Sequence, residues 1–369
     1  MLQFIILLGI VSLLGDTIYE GVRSIIGPYF ASLGVNALTL GLIIGLAEFL
    51  SYSVRLLAGY AADKTRSYWS MTFFGYGLII SLPLLALTSD WKIAVILLLL
   101  ERLGKGIRSP PRDAILSFAT KKIGRGFGFG IHEALDQIGA FLGPLLVFLI
   151  LHFGYNYNVC FAILFFPYIP MLIALAIARS KLPTPQKLEE VTNDTPLTKT
   201  FWIFVTFIFT SVAGFINFQI ISYLFKVNNL ISVELIPILY AVAMCIDAIS
   251  ALIIGRIYDK IRFKSLTLLP LTNMLIPLAF LNPIAIAFYG IAMGIQESVV
   301  KAAMADLVGV KKRSTAYGIL NFIYGLAWLF GSTIVGYLCD ISFKYLYMYV
   351  VTMEIISLCF LMIILKTRT

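Results

Sequence analysis

The chain alternates long apolar runs with short polar breaks. The apolar segments lie near 4–30, 38–62, 68–88, 92–117, 125–151, 156–179, 200–226, 233–257, 264–281, 283–306, 313–338 and 343–366. A hydrocarbon core roughly 30 Å thick is crossed by about 20 residues of helix, so each run is long enough for one span. Lipid offers backbone groups no partner outside their own segment, and the runs are therefore predicted to be helices. One long polar stretch, KLPTPQKLEEVTNDTPLTK at 181–199, separates six segments from six. It predicts an N-terminal six-helix bundle over 1–180 and a C-terminal bundle over 200–369, joined by a linker at 181–199.

Composition supports the same picture. Of 369 residues, 60% are hydrophobic and 13% charged, against about 45–50% and 25% in soluble domains. So few charges cannot cover a water-facing globule, which excludes a soluble enzyme, a disulfide scaffold or a disordered chain. The net charge of +9 would suggest nucleic acid in a soluble protein; here it reads as cationic loops, and nucleic acid is not an expected partner. The cations are unevenly placed. One set of loops and tails holds 17 Lys and Arg, from Lys64 and Arg66 to Lys366 and Arg368, and the other holds only Lys92, Lys226 and Lys344. The positive-inside rule then puts both termini and the 181–199 stretch in the cytoplasm of a multi-pass plasma-membrane protein. Cys160, Cys245, Cys339 and Cys359 lie far apart in apolar segments and His132 and His152 stand alone, so no metal or cofactor is expected. The first segment lacks a basic leader and a cleavage site and is read as a retained span.

Eight cations fall inside the spans: Arg23, Arg55, Arg102, Lys105, Arg108, Arg112, Arg256 and Lys301. Charge at that depth costs at least about 2.5–3.5 kcal/mol each on insertion scales and normally faces a cavity or a partner. On the first helix Asp16, Glu20 and Arg23 follow at spacings of four and three, one helical face. Counting about 1.5 Å per residue puts Asp16 about 20 Å deep, and Glu48, Arg102, Glu133 and Asp136 at about 12–16 Å. Arg108 and Arg112 continue toward the cytoplasm, where Pro110–Pro111 is predicted to break or kink the fourth helix. His132, one turn before Asp136, is placed to share a hydrogen bond with it. One reading is a structural ion-pair network that holds the first half together, with Arg102 paired to Glu101 or Asp16. The other is a water-filled cavity in which Asp16, Glu20, Glu133 and Asp136 exchange protons and Arg102 switches between them. Arg23, Glu48 and Arg108 would complete the wall of the substrate cavity in the first half. The second half would contribute Asn217, Gln219, Asp247, Gln296, Glu297, Asn321 and Tyr324, with Glu297 paired to Lys301.

The chain also repeats itself. GYAADKTR at 59–66 and GRIYDKIR at 255–262 share G-x-x-x-D-K-x-R, each after the second span of its half. RGFGFG at 125–130 matches RSTAYG at 313–318 with an offset of 188, as Gly106 matches Gly294 and Gly143 matches Gly331. Two homologous halves related by an axis along the membrane normal are an architecture of secondary transporters. With these motifs the chain resembles the major facilitator superfamily over its whole length. The two octapeptides resemble its loop motif G-x-x-x-D-R/K-x-G-R-R/K, with Arg66 and Arg262 where the second glycine falls. ERLGKGIRSPPRD at 101–113 resembles the fourth-helix motif of a bacterial and archaeal branch reading G-K-G-I-R-x-x-P-R-D. GAFLGP at 139–144 resembles the fifth-helix motif of drug/proton antiporters, with Val147 and Phe148 in place of its final glycines.

The resemblance implies an all-α fold of twelve transmembrane helices in two pseudo-symmetric bundles that alternate access to a small-molecule substrate. It implies a conformational latch at Gly59, Asp63, Lys64, Arg66, Arg112, Asp113, Asp259, Lys260 and Arg262. The expected function is secondary transport without enzymatic activity, with no ATP-binding P-loop in the sequence and a proton gradient as driving force. Export is favoured; the alternatives are import of a small organic anion and a non-transporting receptor on the same fold. The protein is expected to act as a monomer in the lipid bilayer.

Overall fold

A computed structural model describes residues 2–120, 125–181, 197–308 and 313–368. Among these residues the chain is helices and short connections, without strands. The first half forms α1 (Leu2–Ser32), α2 (Ala37–Thr65), α3 (Tyr68–Leu87), α4 (Trp91–Thr120), α5 (Arg125–His152) and α6 (Tyr157–Lys181). The second forms α7 (Lys199–Val227), α8 (Leu235–Ile261), α9 (262–280), α10 (283–307), α11 (Arg313–Ile341) and α12 (Phe343–Arg368). Ten stretches of the described chain are long and apolar enough to cross a membrane. One of them, Leu235–Phe280, has 46 residues, about 70 Å if helical and so two spans. It divides at Arg262, whose φ is 50°. α4 falls outside the ten because Glu101, Arg102, Lys105, Arg108 and Arg112 crowd it with charge. All twelve expected spans are thus helices, and the chain is an all-α, multi-pass membrane protein.

Three local features depart from the sequence expectation. α4 runs unbroken through Pro110 and Pro111. Prolines are tolerated in membrane helices where neighbouring groups take up the freed carbonyls, here those of Gly106 and Ile107. α7 is interrupted after Ala213 and resumes at Phe218, where Asn217 caps the new N-terminus by accepting from the Ile220 N–H at 3.0 Å. α10 widens into a π-helical turn at Ile295–Val299. That turn shifts the phase of the helix, and Glu297 and Lys301 form no ion pair.

The repeated glycines mark repeated contacts. A Cβ on Gly143 would lie 2.3 Å from the Thr17 carbonyl oxygen of α1, and one on Gly331 would lie 2.6 Å from the Ala213 carbonyl oxygen of α7. Likewise a Cβ on Gly106 would meet the Ser51 carbonyl oxygen of α2 at 2.8 Å, and one on Gly294 the Asp247 carbonyl oxygen of α8 at 2.6 Å. Small residues let helices approach to backbone contact in a bilayer, and the same two approaches occur in each half.

The described residues gather into two compact units. One comprises 2–34, 50–181 and 232–241; the other 35–49, 197–231 and 242–368. The division runs through α2 and α8. In the second unit the first half of α2 lies along α11: the Asp340 carboxylate accepts from the Ala37 and Leu38 N–H groups at 3.1 and 2.9 Å. Such a carboxylate at a helix N-terminus is favourable for the helix dipole.

Candidate functional site

In the first unit α1, α4 and α5 bring their ionisable groups together around Tyr19. The Arg102 guanidinium lies 4.3 Å and the Lys105 ammonium 4.0 Å from the centre of the Tyr19 ring, with Arg23 at 5.8 Å. An aromatic face attracts cations most strongly where water is excluded, so Tyr19 organises the cations of two helices. Sequence spacing did not single it out; its position three residues beyond Asp16 on the charged face was the available signal.

Behind this layer Glu101 is 1% exposed and holds two guanidiniums, Arg108 at 3.3 Å and Arg102 at 3.6 Å. Arg108 also donates to the Gly75 carbonyl at 3.4 Å and lies over the Tyr76 ring. Arg102, which the structural reading pairs with Glu101 or Asp16 and the functional reading faces to Asp16 and Glu20, is paired with Glu101 and lies over Tyr19. The cations within electrostatic reach of Asp16 are Lys105 and Arg108, and the nearby carboxylates are Asp136 and Glu20. Asp16, Lys105 and Asp136 remain partly exposed. Solvent access to charged groups in the middle of long spans defines a polar recess in this unit.

Glu20 is buried and engaged on both oxygens: Arg23 lies 3.5 Å from one, and the Tyr240 hydroxyl donates to the other at 2.6 Å. Tyr240, from the segment of α8 that belongs to this unit, was not foreseen. On α5, Glu133 is exposed and Asp136 half-buried, with one Asp136 oxygen lacking a hydrogen-bond partner among the described residues. The expected bond between His132 and Asp136 is not formed, and the His132 Nε2 is buried without a partner. Arg112 donates to Asp113 at 2.8 Å and to the Ser12 hydroxyl at 3.3 Å, tying α4 to α1. Arg55 packs over the Tyr52 ring at 4.6 Å.

In the second unit Glu48, Gln219, Asp247 and Gln296 are buried, and Glu297, Asn321 and Tyr324 half-buried. Tyr324 donates its hydroxyl to the Gln296 side chain, whose amide nitrogen is otherwise without a partner among the described residues. Asn217 was expected on a cavity wall, but it caps α7 and donates to the Ser332 hydroxyl at 3.0 Å, so its side chain is committed to the frame.

At the loop motifs, Asp63 accepts from the Tyr68 hydroxyl at 2.8 Å. Its counterpart region places Arg262 3.0 Å from Asp306, which also accepts from the Tyr258 hydroxyl at 2.8 Å. Gly59 is half-buried, and Lys64, Asp259 and Lys260 are exposed. Arg66 and Arg262 have φ of 55° and 50°. Both occupy the left-handed conformation that glycine adopts most readily, at a cost of order 1–3 kcal/mol for another residue. No group of three or more His, Cys, Asp or Glu side chains suited to a metal occurs among the described residues.

Twelve spanning helices, paired close contacts in the two halves and a buried charge cluster define a multi-span carrier architecture. Residues 5–332 match the model of the Major Facilitator Superfamily. The chain belongs to that superfamily, a family of secondary transporters. It is 35% identical to an uncharacterised protein of Mycobacterium tuberculosis, over 96% of this chain and 91% of that one. It is 34% identical to an uncharacterised MFS-type transporter of Methanocaldococcus jannaschii, over 95% of this chain and 92% of the relative. Similar solved structures include a mutant of the nucleoside transporter NupG, with a TM-score of 0.80, 14% identity and coverage of 98% and 99% of the two chains. Another is an inward-facing, occupied bacterial homologue of the human lysosomal transporter Spinster, with a TM-score of 0.74, 15% identity and coverage of 98% and 96%. At such identities the likeness is one of fold.

Proposed function

We propose that this protein moves a small molecule across the plasma membrane by alternating access of its two bundles, coupled to protons and directed outward. The observation that carries the coupling is the partly exposed recess where Asp16 meets Lys105 and Asp136. Asp16 stands among two further carboxylates, Asp136 and Glu20, and two cations, Lys105 and Arg108, so the site carries more acid than base where charge is costly, and a proton on one carboxylate restores the balance. Asp16 is the preferred carrier and Asp136 the second. Glu20, already engaged by Arg23 and Tyr240, reports the state of the site to α8. Glu133, exposed on α5, stands on the route by which protons reach Asp136. Export is supported by GAFLGP at 139–144 alone. Import of a small organic anion is favoured by the cationic pair over Tyr19. The 17-to-3 cation count supports cytoplasmic termini. No cofactor is required, and the transporter acts as a monomer.

A thermal-shift screen on purified protein identifies a ligand, and proteoliposomes then measure its movement with and without an imposed pH gradient. Asp16→Asn should lose gradient-driven accumulation while keeping exchange at equal pH, with a weaker effect for Asp136→Asn. Wild-type accumulation in Asp16→Asn, Glu20→Gln and Asp136→Asn alike would refute the assignment.

A further inference from the structure

The interruption of α7 lies against a buried carboxylate on α12. Glu354 is 0% exposed. It accepts from the Ser211 hydroxyl at 3.0 Å on one oxygen and from the Asn273 amide nitrogen at 2.8 Å on the other. The Asn273 amide nitrogen also reaches the Ser211 hydroxyl at 3.1 Å and the Ser211 carbonyl at 3.3 Å. The other end of that amide, the Asn273 Oδ1, is buried without a partner among the described residues, although Asn273 is 0% exposed. α7 ends at Ala213, and a Cβ on the following Gly214 would lie 2.9 Å from a Glu354 oxygen. The carboxyl therefore touches the C-terminal end of a broken helix, where the dipole is negative.

Two negative features are thus buried together with neutral neighbours. Among the described residues no ion pair reaches Glu354, whose polar partners are Ser211 and Asn273. α7, α9 and α11 pack around this part of α12. Their described charged side chains, Lys199, Lys226, Arg262, Lys264 and Asp340, lie at or near the ends of those helices. Lys344 is ten residues from Glu354, about 15 Å along α12. The titratable neighbour is Tyr349, whose hydroxyl is occupied by the Ala213 carbonyl at 3.0 Å. An isolated carboxylate in such surroundings is too costly to persist. The Glu354 carboxylate, the Ser211 hydroxyl and the helix-end carbonyls make a hard-oxygen set, and unwound helix ends at mid-membrane are where transporters hold Na⁺ or H⁺.

We propose that Glu354, Ser211, Asn273 and the C-terminal end of the first segment of α7 form a monovalent-cation site, for a proton or sodium, separate from the Asp16 recess. The site neutralises the second unit and makes its stability depend on that cation. Substrate is not needed to see it.

The test uses the full-length protein in lipid nanodiscs without substrate. Melting temperature is followed against pH in potassium buffer, and against sodium at fixed alkaline pH with potassium as the replaced ion. A proton occupant raises the melting temperature as pH falls, with no response to sodium; a sodium occupant raises it with sodium. In either case the response should disappear in Glu354→Gln, which keeps the shape of the side chain. Asp16→Asn should retain it, so failure of the proton-coupling reading leaves this site standing. Ser211→Ala should move the midpoint by at least about threefold in sodium, or toward higher pH for a proton because the carboxylate loses a donor. A wild type insensitive to both ions, or Glu354→Gln responding like wild type, overturns the proposal. If Glu354→Gln does not fold, an unmoved midpoint in Ser211→Ala overturns it.

Discussion

Replacing Tyr240 by Phe removes one hydroxyl and leaves the ring in place. In the structure that hydroxyl donates to Glu20 at 2.6 Å, within the 2.5–2.7 Å expected when the acceptor is ionised. Glu20 keeps Arg23 at 3.5 Å, and both side chains are under 10% exposed, at 9% and 8%. Water therefore cannot readily replace the lost donor. A hydrogen bond to a charged group contributes about 1.5–3 kcal/mol, so Tyr240→Phe should cost about 2 kcal/mol. At roughly 2 °C per kcal/mol for a chain of this size, the melting temperature should fall by about 4 °C. The assay is a double-mutant cycle with Glu20→Gln, read as thermal unfolding of four purified proteins. The amide keeps an acceptor but loses the charge, so the coupling should be about 1 kcal/mol, the difference between a charged and a neutral bond. Distant sites add within about 0.5 kcal/mol. A coupling below that limit would refute the claim that Tyr240 senses the charge on Glu20.

Gly143→Ala puts a Cβ 2.3 Å from the Thr17 carbonyl oxygen, so overpacking should cost about 1–3 kcal/mol, seen as a lower melting temperature. Gly255→Ala, with nothing within 4 Å of its Cβ, should be neutral or stabilising by up to about 1 kcal/mol in the same assay. Glu101→Gln leaves Arg102 and Arg108 without their shared carboxylate; a loss of about 3 kcal/mol or more is expected, visible as poor recovery of folded protein on size exclusion. Arg262→Ala should cost less than about 1 kcal/mol in stability because the pair with Asp306 is 61% and 38% exposed, yet slow transport several-fold, and Asp63→Asn should abolish most transport; unchanged turnover in both would make these loops topology signals only. A Glu190→Cys side chain should resist labelling from outside intact cells, and ready labelling would reverse the proposed orientation.

The sequence made the spans legible because their signal is local: apolar runs of span length bounded by turn residues. The repeat was legible for a related reason. Gly106, Gly143, Gly294 and Gly331 sit where helices meet backbone to backbone, and only glycine fits, so the pattern survives in both halves. Arg262 and Asp306 were foreseeable partners because both lie at helix ends on one side. Glu354 was not singled out. Its partners Ser211 and Asn273 stand 143 and 81 residues away, and no spacing rule joins them; a lone carboxylate deep in an apolar run was the available signal. The pairing of Arg102 stayed open between Glu101 and the carboxylates of α1 for a different reason. Depth along a helix locates a charge but does not fix its rotation, and the structure pairs Arg102 with Glu101. The π-helical turn of α10 likewise leaves no mark in a pattern read at 3.6 residues per turn.

Gly139 and Gly143 let α5 touch α1 so closely that a Cβ at either would fall within 2.2 or 2.3 Å of an α1 carbonyl oxygen. Helices in contact at that range cannot slide past one another without lifting apart, and they travel as one rigid rod. Asp16 rides on one half of that rod and Asp136 on the other. Their mutual repulsion is therefore a fixed property of the pair, which no rocking of the bundle can relax. The close packing thereby turns a mechanical constraint into a chemical one: two glycines set the spacing of two carboxylates.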